Sequence, residues 1–416
     1  MLFYTLGLYV YNCLVYLATL WHPKARALLC GRRGWRDRMR RAFSAGQGSV
    51  VWFHCASLGE YEQGRSVMEA FMAAHPDWRL LVTFYSPSGY NVRRDDPLAT
   101  YVGYLPLDTK RNVRDFLSIA RPEIVCFVKY EFWPHFLMEL ARRQVPTFLI
   151  SAYFRRQQSF FQWYGGFYKR VLHYFSLLFV QDEESRQLLL DFGVSRCFVS
   201  GDCRFDRVLA AREKNQPYPL VSSLAQGHKV VVFGSTWPSD EQGLLPLLND
   251  LPSGWRAVVV PHELGQARLA ALRRGLTCSA VMASEVRSPA ELQDVDVLIV
   301  DSVGQLFSIY AYASLAYVGG GFGAGIHNTL EPAVYGLPVV FGPRYRDYHE
   351  ALGLLACGGG QAVLKPAELA PALRALMDDA ERQERMAAAA REFVQSNKGA
   401  TERTLRNIEP YMHLSR

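Results

Sequence analysis

YVGGGFGAGIHNTLEPAVYGLPVVFGP, residues 317–343, reads as a strand, a glycine-rich loop, a helix and a second strand. Gly319, Gly320, Gly321, Gly323 and Gly325 free the backbone from side chains, so it can approach an anion closely. Asn328 begins the helix, Glu331 and Pro332 follow within a turn, and the returning strand ends in Gly342 and Pro343. No G-K-[ST] follows the glycines, which excludes a Walker A loop. The position late in the chain, without a following acid at the usual distance, excludes a dinucleotide-binding fingerprint.

Outward from this unit the same alternation recurs. Short apolar runs bounded by Gly, Pro or polar residues predict buried strands at 50–54, 80–85, 124–128, 147–150 and 177–180. A second series falls at 230–233, 257–260, 297–300, 315–318 and 338–341, with amphipathic helices between, such as 62–74 and 183–192. Strands alternating with helices predict an α/β protein with parallel sheets. The polar, Pro-containing stretch 206–228 predicts a linker. The expected organisation is a membrane anchor (1–22), a basic juxtamembrane segment (23–48), a Rossmann-like domain (49–205), the linker, and a second Rossmann-like domain (229–398). A final helical segment (399–416) is expected to pack back on the first domain.

The 416 residues carry 46 basic and 39 acidic side chains. Residues 1–41 hold eight of the basic ones against Asp37 alone, and the remaining 38 of each sign cancel. A nucleic-acid-binding body would carry the excess on its folded domains. Here it lies beside residues 2–20, which lack any charge, so the sequence points to a membrane surface and not to nucleic acid. Nineteen helical residues reach about 28 Å, the thickness of the hydrocarbon core. The segment has neither the positive start nor the cleavage site of a signal peptide. Two readings stay open, a spanning anchor and a helix lying in one leaflet, and both put the body on the cytoplasmic side. The eight cysteines form no C-x-x-C pair and fit no zinc spacing, which predicts reduced thiols.

Further motifs follow predicted strands. HCASLGEYEQG (54–64) places Glu60 on a strand-to-helix turn, where a carboxylate can take a proton from a hydroxyl or serve as a helix-start acid. KYEFWPHF (129–136) places Glu131 among aromatic residues. GSTWPSDE (234–241) offers Ser235 and Thr236 at a helix start, suited to phosphate. VVVPHEL (258–264) presents His262 after a buried strand, able to donate to a phosphate or a base edge. No D-x-D loop, H-E-x-x-H or Cys/His cluster suggests a metal or other cofactor.

Together with SAYF at 151–154, these blocks in this order resemble the 3-deoxy-D-manno-octulosonic acid (Kdo) transferases of lipopolysaccharide assembly. The resemblance implies a GT-B architecture, with two Rossmann-like domains facing across a cleft, and metal-independent transfer. It implies CMP-Kdo as donor, a lipid A precursor (lipid IVA) as acceptor, and the cytoplasmic side of a Gram-negative inner membrane. It assigns Glu60 as general base in an inverting reaction and Glu131 as a second acid. Donor-binding positions are Ser235, Thr236, Pro261, His262, Val303, Gly304, Gln305, Gly320, Gly321, Asn328, Thr329, Leu330 and Glu331. Gln305 stands where many members carry Glu, and Thr329 where most carry Pro. Acceptor-binding positions are Ser57, Gly59 and Arg155. A transferase or epimerase acting on a UDP-sugar, and a non-catalytic nucleotide-sugar-binding scaffold, are the competing readings.

Overall fold

The computed structural model describes all residues except 45, 47, 163, 164 and 413–416. The chain divides into two compact units, Met1–Arg207 with Lys398–Arg416, and Val208–Asn397. Each unit is built on one seven-stranded sheet.

The first sheet comprises β1 (Val50–Cys55), β2 (Arg79–Phe84), β3 (Tyr101–Tyr104), β4 (Ile124–Val128), β5 (Thr147–Ala152), β6 (Leu177–Val180) and β7 (Cys197–Val199), in the order β3-β2-β1-β4-β5-β6-β7. The second comprises β8 (Lys229–Thr236), β9 (Trp255–Pro261), β10 (Ala280–Met282), β11 (Val297–Ile299), β12 (Leu315–Val318), β13 (Val339–Phe341) and β14 (Gly360–Ala362), in the order β10-β11-β9-β8-β12-β13-β14. All neighbouring strands run parallel. Helices cover both faces, so the central strands are buried on both sides and consist of Val, Ile, Leu and aromatic residues. In each sheet the chain leaves two adjacent central strands in opposite directions, β1 and β4 in the first and β8 and β12 in the second. Ligands of doubly wound sheets bind outside the carboxyl ends of the strands at such a point.

The stretch 206–228, expected as a linker, is largely helical, with helices Cys203–Glu213 and Pro219–Leu224. The helix Ala400–Met412 packs within the first unit. Asp206 accepts the backbone N–H groups of Gly399 (2.5 Å) and Thr401 (2.6 Å), and Tyr411 meets the Phe148 ring at 5.2 Å. The last four residues of the 399–416 segment lie outside the described residues.

The N-terminal segment forms α1 (Leu2–Ala18), α2 (Pro23–Arg32) and α3 (Trp35–Ser44). Among the described residues no single helix is long and apolar enough to cross a membrane; α1 and α2 reach that length only as a pair bent by 118°. The break follows from Pro23, whose ring stops a helix continuing from α1. One side of α1 is tied to the folded body. Tyr4 donates to Asp108 (2.8 Å), and Thr5 Oγ1 lies 2.9 Å from His135 Nε2. The other side leaves Phe3, Leu6, Val10, Leu14 and Leu17 exposed. Part of the basic cluster also serves the fold. Arg36 pairs with Asp115, Arg32 donates to the Leu105 carbonyl, and Arg38 donates to the Gly31 carbonyl. All eight cysteines are free.

Asp108 is fully buried and also accepts the backbone N–H groups of His135 (3.0 Å) and Phe136 (2.9 Å). Burial nevertheless pushes its carboxyl up to about 6. A value raised above the unfolded one means that this group favours the fold most below about pH 4 and loses that contribution as pH rises through about 6. Asp108→Ala strands three donors in the interior and is expected to lower the unfolding free energy by about 2–5 kcal/mol in a denaturant titration.

Candidate functional site

In the first unit β1 ends at Cys55, and the chain turns through Ala56 and Ser57 into α4 (Leu58–Ala74). Ser57 is the N-cap and Glu60 the third helical residue of a capping box. Glu60 Oε2 accepts the backbone N–H groups of Ala56 and Ser57, the latter at 3.1 Å. The helix-start reading of Glu60 is therefore physically realised, but a cap alone does not describe it. Its carboxyl is pushed up to about 7, first by burial and then by the charge of Glu131; the two N–H groups and Lys129 oppose the rise without cancelling it. A carboxyl that titrates near neutrality can hold or release a proton under working conditions.

Glu131 lies in the loop after β4, on the other side of the switch point from Glu60. Its Oε2 is 3.0 Å from His54 Nε2 and accepts the Trp133 indole N–H at 2.8 Å. Lys129, at the start of that loop, has φ +69°, a conformation that costs energy for a residue with a Cβ. Gly59 lies in the first turn of α4. Arg155 follows β5, with its guanidinium 5.1 Å from the Tyr153 ring centroid. The structure thus brings Ser57, Glu60 and Glu131 to the carboxyl ends of adjacent strands.

In the second unit Ser235, the penultimate residue of β8, has φ +54°, and the glycine loop leaves β12 beside it. Gly319 packs so closely that a Cβ there would lie 2.4 Å from the Ser235 carbonyl oxygen. The loop is organised by Asp240, which is fully buried in the helix Pro238–Leu248. Asp240 accepts the Tyr317 hydroxyl (2.6 Å) and the backbone N–H groups of Gly320 (2.9 Å) and Trp237 (2.8 Å).

The glycines are expected to let the backbone approach an anion closely, but several of the loop's N–H groups are already engaged within the fold. The amide of Gly320 is committed to Asp240, and those of Gly319, Gly323, Gly325 and His327 go to carbonyl oxygens within the fold. The amide of Leu330 goes to the Asn328 side chain at 3.0 Å. Buried backbone donors must be paired, and the loop pairs these internally. Thr236 is likewise committed: its hydroxyl donates to Glu241 at 2.7 Å, and the side chain is buried. Thr329 and Leu330 are also buried, and the Thr329 hydroxyl has no hydrogen-bond partner. Asn328 is exposed and donates to Glu331 at 3.0 Å.

Pro261 ends β9, and His262 follows it in the open. The His262 ring stacks on both Trp237 (4.7 Å) and His327 (4.4 Å). Those two rings lie within 7° of parallel, with the indole N–H donating to His327 Nε2 at 3.0 Å. Burial, then the neighbouring His262, holds His327 below the usual histidine range. Gln305 and the exposed Val303 lie with Gly304 after β11, two strands from β8. Asp240, Trp237, His327, His54 and Trp133 were not assigned from the sequence. His54 and Trp133 stand within the very motifs that carry the two acids. Among the described residues no three His, Cys, Asp or Glu side chains converge on a common point.

A family model described as 3-deoxy-D-manno-octulosonic-acid transferase (kdotransferase) matches residues 33–207. The chain is 28% identical over 379 residues to the 3-deoxy-D-manno-octulosonic acid transferase of Chlamydophila psittaci, covering 88% of this chain and 86% of the relative. It is 26% identical over 377 residues to that of Rickettsia typhi, covering 88% and 80%. Among solved structures, UDP-GlcNAc 2-epimerase from Neisseria meningitidis superposes with TM-score 0.61 at 15% identity, covering 88% of this chain and all of that one. MurG of Acinetobacter baumannii does so with TM-score 0.56 at 12% identity, with the same coverages. The fold is GT-B.

Asp240→Ala removes the acceptor of three buried donors. The expected result is a loss of about 2–4 kcal/mol in stability and faster hydrogen exchange at the Gly320 amide, read by mass spectrometry. A Kdo transferase model matches residues 33–207, Kdo transferases at 26–28% identity align along most of the chain and the fold is GT-B, so the chain is similar to the Kdo transferases, homologues that indicate a glycosyltransferase.

Proposed function

We propose that this chain transfers Kdo from CMP-Kdo to a lipid A precursor in lipopolysaccharide synthesis, with Glu60 as general base. The observation that carries the reading is a half-buried carboxyl, Glu60, at the switch point of the first sheet, pushed up to about 7 by burial and by a second acid beside it. A hydroxyl of the acceptor attacks the anomeric carbon of Kdo and its proton passes to Glu60. The bond from that carbon to the phosphate oxygen breaks, CMP leaves as the anion, and the configuration inverts. The donor is assigned to the second unit, at Ser235, Pro261, His262, Gly304, Gln305, Gly321, Asn328 and Glu331, with Gly320 and Leu330 shaping the backbone. The acceptor is assigned to Ser57, Gly59 and Arg155 in the first unit.

The acceptor is amphiphilic, and α1 suits a helix lying in one leaflet on the cytoplasmic side of the inner membrane. Its inner side is hydrogen-bonded to the body through Tyr4 and Thr5, and its outer side is a row of exposed apolar residues. The exposed Lys24, Arg33 and Arg41 add attraction to anionic head groups. Replacing Leu6, Val10 and Leu14 together by Glu is expected to move the protein from membranes to the soluble fraction; unchanged membrane binding would assign attachment to another surface.

Glu60 must be ionised to take the proton. With its carboxyl pushed up to about 7 in the free protein, kcat/KM should rise with pH through about 7 and reach only about one-tenth of its plateau one unit lower. Glu60→Gln should retain CMP-Kdo binding yet lose about 10²–10⁴-fold in transfer of labelled Kdo to lipid IVA. A panel of CMP- and UDP-sugars tests the donor: turnover with a UDP-sugar and none with CMP-Kdo would refute the assignment.

A further inference from the structure

His54 is an unexpected residue to find completely enclosed in the middle of a parallel sheet, with no solvent exposure at all. Both of its ring nitrogens have partners. The Trp52 indole N–H, two residues earlier on the same strand face, donates to Thr83 Oγ1 at 2.7 Å. Thr83 Oγ1 lies 2.9 Å from His54 Nδ1, and His54 Nε2 lies 3.0 Å from Glu131 Oε2. The Trp133 indole N–H reaches the same carboxylate oxygen at 2.8 Å and lies 3.0 Å from His54 Nε2.

The proton positions follow from what each group can do. An indole N–H only donates, so Thr83 Oγ1 accepts from Trp52 and its own proton is free for His54 Nδ1. A carboxylate oxygen and a bare imidazole nitrogen 3.0 Å apart would repel, so Nε2 carries a proton and gives it to Glu131. The other tautomer, with Nδ1 donating to the Thr83 carbonyl at 3.1 Å and Nε2 accepting the Trp133 indole N–H at 3.0 Å, would set a bare nitrogen against the Glu131 oxygen. The first arrangement aims two N–H groups, from His54 and Trp133, at one oxygen of Glu131.

We propose that His54 is a positioning residue: a buried chain from Trp52 through Thr83 and His54 fixes the Glu131 carboxylate beside Glu60 and thereby sets the pH at which Glu60 accepts the proton of the acceptor. This rests on Glu60 being the base. The groups that face Glu60 are few. The backbone N–H groups of Ala56 and Ser57 and the charge of Lys129 favour its ionised form; burial and Glu131 oppose it. The neighbouring Cys55 thiol is buried and pushed up, so it stays neutral. Glu131 is the one carboxylate neighbour among these causes, and His54 and Trp133 hold it.

The test is the pH profile of kcat/KM for CMP-Kdo and lipid IVA, measured on the full chain. His54→Phe removes the N–H bond to Glu131, so that carboxylate can turn away and Glu60 loses its like-charged neighbour. The rising limb should move to lower pH by about 0.5–1 unit and the plateau should fall about tenfold. Glu131→Gln should move the limb the same way. Thr83→Val, which cuts the chain one link earlier with little change of shape, should give a smaller shift in that direction and covers the case in which His54→Phe does not fold. His54→Gln, whose amide can donate in place of Nε2, should keep the limb near that of the wild type. A limb unmoved in His54→Phe or Thr83→Val, with rate falling only as thermal stability falls, overturns the relay and leaves Glu60 as base. Full transfer by Glu60→Gln overturns both.

Discussion

A carboxylate withdrawn from water survives only where N–H or O–H groups converge on it, and both units of this chain are organised around that requirement. Asp108 and Asp240 are fully buried, and each is met by three donors. They behave as fixed posts. Asp108 ties α1 and the start of the helix Pro134–Arg142 to the loop after β3. Asp240 ties the glycine loop to the end of β8. Glu60 differs in degree. It has two backbone donors, partial exposure and a second acid nearby, so its charge is tolerated rather than saturated. Two posts hold the scaffold, and Glu60, with fewer donors and a second acid beside it, is pushed up to about 7.

The same requirement narrows what the second unit can offer a donor. A glycine loop after a strand suggests a cradle of free amides, but this one has folded onto itself and onto Asp240. Beside it stands the ring of the exposed His262, stacked on the hydrogen-bonded pair of Trp237 and His327. Flat aromatic surfaces of that kind suit stacking by a planar ring. Nearby, Ser235 holds a left-handed conformation at the end of β8, the counterpart of Lys129 at the end of β4. Two of the five described non-glycine residues with positive φ thus fall at the carboxyl ends of β4 and β8, next to each switch point.

Much of the fold was legible because burial on two faces writes itself as a run of apolar residues. All ten predicted strands form. The four that went unread, β3, β7, β10 and β14, are the outermost strands of their sheets. Cys197–Val199 and Gly360–Ala362, for instance, are half-exposed, so neither forms the apolar run that identifies a central strand. Glu60 and Glu131 were legible as acids placed just after strong strand signals. Asp240 and His54 were not. One sits inside a helix start that other residues could have capped, and the other inside an apolar strand; their roles depend on partners far away in sequence, Tyr317 and Gly320 for Asp240, Thr83 and Glu131 for His54. The apolar N-terminus was read by composition as long enough to span. Pro23 and the bonds from Tyr4 and Thr5 shorten it and pin it to the body.

The account depends on the protonation of a single side chain. Carbon-13 NMR of the labelled glutamate carboxyls, with Glu60→Gln identifying the signal, reads that protonation without turnover. The account predicts a Glu60 midpoint near 7 that falls in Glu131→Gln. A midpoint near the ordinary 4.5, unchanged by loss of Glu131, would contradict it.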